Sequence, residues 1–246
     1  MEKEFGKELW KEIAIIVGAA LFLGFMLAIH FRYPIISIEP IDFVIAFLLA
    51  LLIAGVFVGA QKFAAYRLDC KTKTKLLGFR RYGLKAWAQL NFDFPLWIVL
   101  PIVLFFITNG FFKWLAIFDF DVEPLERKVR RRWRSLSEDD IGRIAIAGPL
   151  AILALGIISK AIGLGTHIAS FNSFGLACVL LCFVSLIPIG MGFKMMISSR
   201  VAWFFTLIFS LCILLMMGLQ SLFAMIFMAF LFAVAATIAY YALYEK

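Results

Sequence analysis

Histidine is nearly absent from this sequence, and charge is scarce. Two histidines, 24 Lys and Arg and 16 Asp and Glu stand among 246 residues. Charged residues make up 16% and apolar residues 64%, whereas a soluble domain carries about 25% and roughly 45–50%. That balance excludes an ordinary soluble fold. His30 and His167, with no fixed carboxylate near either, do not make a catalytic zinc site, which needs three protein ligands. The four cysteines imply no disulfide framework. Cys70 and Cys212 have no evident partner. Cys178 and Cys182, at i and i+4, share a helix face as buried small hydrophobes, with copper(I) binding or a redox pair as the alternative that nine methionines encourage. No Ser/His/Asp arrangement, phosphate loop or dinucleotide fingerprint is present.

What the chain has instead is long apolar runs and a mean hydropathy of +0.98. Runs of roughly 20 residues cross a hydrocarbon core of about 30 Å, and only helices do so in a chain of this pattern. The expectation is an all-α polytopic membrane protein with about six transmembrane helices, placed over residues 13–31, 43–66, 141–164, 174–191, 201–219 and 221–243. The first run spans and has no small-residue cleavage site after it, which argues against a cleaved signal peptide.

A seventh apolar stretch, residues 94–112, is long enough to cross, but its flanks forbid it. Arg67, Lys71, Lys73, Lys75, Arg80, Arg81 and Lys85 precede it; Lys113, Arg127, Lys128, Arg130, Arg131, Arg132, Arg134 and Arg143 follow. A full crossing would put these basic segments on opposite faces, against the cytoplasmic excess of Lys and Arg. Entry and return on one side removes the conflict and places both termini in the cytoplasm, leaving only Arg32 and Lys160 near the other face. Pro95, Pro101 and Asn109-Gly110 interrupt the stretch, while Trp97, Ile98, Val99, Ile102, Val103, Phe105, Phe106 and Ile107 favour extended backbone. The expectation is a membrane-embedded, re-entrant, β-hairpin-like segment wrapped by the other helices. The chain then reads as one membrane domain: a cytoplasmic amphipathic N-terminus over 1–12, a core over 43–200 containing a basic loop over 113–140, and a C-terminal helix pair over 201–246.

The net charge of +8 follows from positive-inside bias and attraction to anionic headgroups. The cluster Arg127, Lys128, Arg130, Arg131, Arg132, Arg134 offers a second reading, docking on RNA such as a ribosome or on an acidic protein. Asp119, Asp121 and Glu123 read as an acidic patch neutralising that cluster, or as ligands for a divalent cation. Among ionisable residues, Lys62 is the one the spans bury, close enough to the cytoplasmic end to snorkel.

Four pieces of the chain, in order, resemble the site-2 protease family (peptidase M50) of intramembrane zinc metalloproteases, over roughly residues 57–200. Phe57-Val-Gly-Ala-Gln-Lys-Phe-Ala-Ala-Tyr-Arg67 is similar to the family's HExxH helix. Cys70 through Trp87 resembles its cytoplasmic strand-rich segment, and the re-entrant stretch resembles its embedded hairpin. Asp140-Ile-Gly-Arg-Ile-Ala-Ile-Ala-Gly-Pro-Leu-Ala151 matches its G-x-I-x-x-A-G-P-x-A-N helix, and Phe183-Val-Ser-Leu-Ile-Pro-Ile-Gly190 matches the N-L-x-P element that leads to its third zinc ligand.

The chemistry of that family is missing. Phe57, Val58 and Gln61 stand where it places two histidines and a glutamate; Gly190-Met-Gly192 runs into Phe193-Lys194 without the ligand aspartate. Ile152 and Ser185 replace its two asparagines. Neither metal ligands nor a general base for bound water remain, so the resemblance implies a catalytically inactive homologue, a pseudoprotease without metal or cofactor. The small residues Ala145, Ala147, Gly148, Ala151, Ala154 and Gly156 permit close helix approach, and Pro188 with Gly190 and Gly192 should bend or unwind the following helix.

The function this implies is non-catalytic binding of transmembrane segments of partner proteins, as a scaffold, assembly or regulatory subunit of a membrane complex. The groove is assigned to Val58, Gln61, Ile152, Ser185, Gly190 and Gly192. The Gln61 amide needs a partner in an apolar helix: a foreign segment, or a carbonyl freed near Pro188. The alternatives are a structural subunit docking through its basic loops, and an active protease with unusual ligands.

Overall fold

The structure, a computed structural model, describes residues 2–28, 30–32, 35–37, 40–81, 89–108, 118–124, 137–189 and 191–244. The chain divides into two compact units, residues 1–55 with 72–121, and residues 56–71 with 122–246. It is predominantly helical. Among the described residues, four helices are long and apolar enough to cross a membrane, or five if one bent pair counts as a single span, as expected of a multi-pass all-α membrane protein.

In the first unit, α1 (Glu2–Ala28) is one continuous helix whose apolar part begins at Trp10. A short antiparallel hairpin follows, β1 (His30–Arg32) with β2 (Ile35–Ser37), pairing Phe31 with Ile36. It leads into α2 (Pro40–Arg67). Gly24 brings α1 onto α2: a Cβ there would stand 2.7 Å from the Phe47 Cα.

Strand β3 (Cys70–Leu76) pairs with β6 (Phe118–Pro124), and β4 (Phe79–Arg81) with β5 (Gln89–Phe94), antiparallel with an irregularity between Phe79 and Arg81. Strand alternation sorts their residues. Thr72, Thr74, Phe118 and Phe120 are buried, while Lys75 forms an ion pair with Asp121. Of the acidic residues of β6, expected to neutralise the arginine cluster or to bind a cation, Asp121 pairs with a lysine of β3 and Asp119 accepts the Phe120 N–H at 2.8 Å. The arginine cluster lies outside the described residues. The Thr74 N–H reaches Glu12 Oε1 of α1 at 3.3 Å.

The apolar stretch expected to be extended is helical over α3 (Leu96–Ile107). Isolated extended backbone has no hydrogen-bond partner in an apolar setting, and a helix supplies its own; that outweighs the β-branched residues and Pro101, which removes only one donor. Pro95 sits at the N-cap with φ −76°, close to the angle its ring imposes. The Trp97 N–H donates to the Leu77 carbonyl at 3.0 Å, and the Trp97 ring stacks edge-on with Phe22 at 5.7 Å. At the far end Thr108 Oγ1 donates back to the Leu104 carbonyl at 2.7 Å. Twelve residues make a helix of about 18 Å, well short of a hydrocarbon core of about 30 Å.

The second unit contains the C-terminal part of α2 and five helices: α4 (Glu138–Thr166), α5 (Ala169–Leu186), α6 (Met191–Ser198), α7 (Arg200–Met216) and α8 (Leu222–Tyr244). Helix α4 starts with Ser137 accepting the Asp139 N–H at 3.2 Å, followed by three acids in its first turn, a capped and dipole-matched N-terminus. It packs against α5 and α6. The α4–α5 seam closes on glycine: a Cβ on Gly156 would stand 3.1 Å from the Gly175 carbonyl oxygen, and one on Gly175 would stand 2.9 Å from the Gly156 oxygen. Helix α7 packs on α5, α6 and α8. Rings of α7 and α8 interleave, with Phe204 stacked on Tyr240 at 4.6 Å.

Candidate functional site

The candidate site is built on two faces of the second unit. On α2, Phe57 and Gln61 are one helical turn apart and so share a face. They are 2% and 2% exposed. Gly148 of α4 meets that face. A Cβ at Gly148 would lie 3.0 Å from Phe57 Cε2 and 3.1 Å from Gln61 Cγ, so any larger residue would have to displace the ring or the amide side chain by a few tenths of an ångström. Ile152, one turn further along α4, is fully buried, as is Val58 on α2.

The third wall comes from the helix break. Ile187 precedes Pro188, a position that disfavours helical backbone, and it adopts φ −58°, ψ 139°. Helix α5 therefore stops at Leu186, and α6 leaves at an angle of 62°. The carbonyl set free at Leu186 accepts the Trp203 indole N–H at 2.7 Å. Gly192 then passes so close beneath the break that a Cβ would fall on the Ile187 carbonyl and stand 2.9 Å from the Leu186 oxygen.

At this point the Gln61 amide finds its partner. Gln61 Nε2 donates to the Met191 thioether sulfur at 2.9 Å, in a buried contact. The expected internal acceptor was a carbonyl freed near Pro188; the acceptor found is a thioether, a weaker one. The side chains at this contact are a phenyl ring and a carboxamide, packed against a glycine and a methionine. A Gln61→Leu variant is therefore expected to shift stability by less than about 1 kcal/mol, read as the midpoint of thermal denaturation in detergent; a larger loss would show that the amide has a stronger acceptor.

Of the residues assigned to the groove, Gln61 on α2 and Gly192 at the start of α6 are brought together through Met191, with Phe57 and Gly148 completing the contact. Val58 and Ile152 are buried on α2 and α4. Ser185 is buried, and its hydroxyl donates to the Cys182 carbonyl of its own helix at 2.7 Å. Gly190 and the basic patch Arg127, Lys128, Arg130, Arg131, Arg132, Arg134 lie outside the described residues. Cys178 and Cys182 are buried within α5, and Cys178 lies against Gly156. Among the described residues, no three His, Cys, Asp or Glu side chains come together as a metal site would require.

Two residues escaped the sequence reading. Trp203 is one. The other is Lys160, expected near the outer face and not among buried ionisable groups. It is 7% exposed on α4, and its Nζ donates to the Met217 carbonyl at 2.9 Å, where the negative end of the α7 dipole favours a cation. Lys62 is only half-buried. Gly156 and Gly163, which flank Lys160 on the same helical face, let that face close on α5.

No family model, no curated protein and no solved structure matches this chain.

Proposed function

We propose that this is a non-catalytic, site-2-protease-like membrane protein that binds transmembrane segments of partner proteins, as a scaffold, assembly or regulatory subunit of a membrane complex. The observation that carries this reading is the contact between Gln61 and Met191. It joins the helix similar to HExxH with the element that follows the second proline, the two parts that would flank zinc in an active member of the family. Gly148, from the third matching piece, closes on the same face.

In this reading α3 enters and leaves on the cytoplasmic side, the bent pair α5–α6 counts as one span, α7 as another, and six spans leave both termini in the cytoplasm. The length of α3, too short to cross, and the distribution of Lys and Arg support that arrangement. A partner segment would lie against the face of α2 that now carries Phe57 and Gln61, with main-chain or side-chain hydrogen bonds to the amide.

Site-directed photocrosslinking in native membrane tests this. A photoreactive residue at Gln61 or Gly192 is expected to capture a foreign transmembrane segment, identified by mass spectrometry. Capture only from positions between Arg127 and Arg134 would replace the reading with docking through the basic loop. Stoichiometric zinc in purified protein, together with chelator-sensitive cleavage, would replace it with proteolysis.

A further inference from the structure

Helix α2 runs past the apolar layer it crosses. From Phe43 to Gln61 it carries no charged residue, about 28 Å of helix against a hydrocarbon core of about 30 Å. Lys62 marks the boundary. The last turn, with Tyr66 and Arg67, therefore stands in the headgroup layer, which adds about 5–7 Å on each side.

Phe63, Tyr66 and Arg67 share a face of α2 at i, i+3 and i+4. All three are exposed, the two rings at 61% and 64%, as aromatic side chains at the membrane interface are. Helical side chains lean toward the N-terminus, and the Arg67 guanidinium accordingly lies back over the Phe63 ring, 5.2 Å from its centroid. The ring covers one face of the guanidinium and leaves its edge donors open. Among the described residues no carboxylate pairs with Arg67. Nor does the helix end occupy those donors: the Ala64 and Ala65 carbonyls accept the Leu68 N–H at 3.2 and 3.0 Å, and the Tyr66 carbonyl accepts the Asp69 N–H at 3.3 Å. One turn before Phe63 on the same face, Gly59 leaves a notch, because a Cβ there would meet nothing within 4 Å.

We propose that Arg67, on its Phe63 platform, binds the phosphate of an anionic phospholipid whose acyl chain runs along Phe63 and over the Gly59 notch. The planar fork matches two phosphate oxygens, and the lipid supplies the negative charge that the chain does not place beside Arg67. A choline headgroup carries its own ammonium, which competes for the same phosphate. The site requires α2 to cross the membrane; it does not depend on partner binding at Gln61.

Native mass spectrometry of the full chain tests this, with the protein released from micelles holding equal phosphatidylglycerol and phosphatidylcholine. The unaltered protein is expected to retain phosphatidylglycerol about fivefold more than phosphatidylcholine. Arg67→Gln is expected to lower phosphatidylglycerol retention about tenfold, the scale of a lost charge-assisted contact. Arg67→Lys, which keeps the charge without the fork, is expected to lower it about threefold. Phe63→Leu, which removes the platform but not the charge, is expected to act on the same scale with the thermal midpoint unchanged. Arg200→Gln, the loss of an exposed cation at the start of α7, is the control and is expected to stay within about twofold of the unaltered protein. Unchanged retention in Arg67→Gln, or equal losses in Arg67→Gln and Arg200→Gln, overturns the site in favour of diffuse attraction. Displacement of the lipid by inorganic phosphate overturns it too, by assigning a free anion.

Discussion

Gly192→Ala is expected to destabilise the protein by about 3 kcal/mol or more, the largest effect of any glycine-to-alanine change among the described residues. The added carbon would fall on the Ile187 carbonyl and press on the Leu186 oxygen. Neither obstacle is the free end of a flexible side chain. Both are backbone atoms fixed by the Ile187-Pro188 turn and by the Trp203 bond. Relief would require α6 to retreat from α5, which breaks the Gln61–Met191 contact as well. The measurement is the fraction folded against SDS mole fraction in mixed micelles. A change below about 0.5 kcal/mol, the level of an uninvolved surface substitution, would show that α6 does not lie this close to the break.

The second large effect belongs to the α4–α5 seam. Gly175→Leu is expected to lower stability by more than about 3 kcal/mol and to reduce the yield of folded protein. A side chain at Gly175 meets the Gly156 carbonyl oxygen at once, then the Lys160 backbone nitrogen and the Met217 methyl. Forcing α4 and α5 apart also strains the Lys160 Nζ bond to the Met217 carbonyl, and a buried amine that loses its acceptor is costly. Leucine at Gly218, where a Cβ meets nothing within 4 Å, is the control and is expected to leave the unfolding curve unchanged. Equal behaviour of the two variants would mean that the seam is loose.

The membrane class and the long helices were legible in the sequence because composition and run length are global signals that no local contact can reverse. The break after Leu186 was legible too, since proline acts on its neighbour whatever the surroundings. The backbone of residues 96–107 was not. There the β-branched and aromatic residues argued for extended structure, but the need to satisfy every main-chain group in an apolar setting decided for helix. Strand alternation in Lys71, Lys73, Lys75 and in Asp119, Asp121, Glu123 was visible, yet only the pairing of β3 with β6 shows that they are complementary faces. At the candidate site, the apolar or uncharged character of Phe57, Val58 and Gln61 could be read residue by residue. The acceptor chosen by Gln61 could not, because Met191 lies 130 positions away and no local rule couples them.

Lys160 sets an order of events during biogenesis. A lysine near the end of an apolar helix adds less to the cost of inserting that helix than the roughly 2.5–3.5 kcal/mol of a central position, and its acceptor at Met217 is encoded 57 residues later. At synthesis rates of about 5–20 residues per second, several seconds separate the lysine from its acceptor. The contact between α4 and the end of α7 can therefore form only late, after most of the chain has been made.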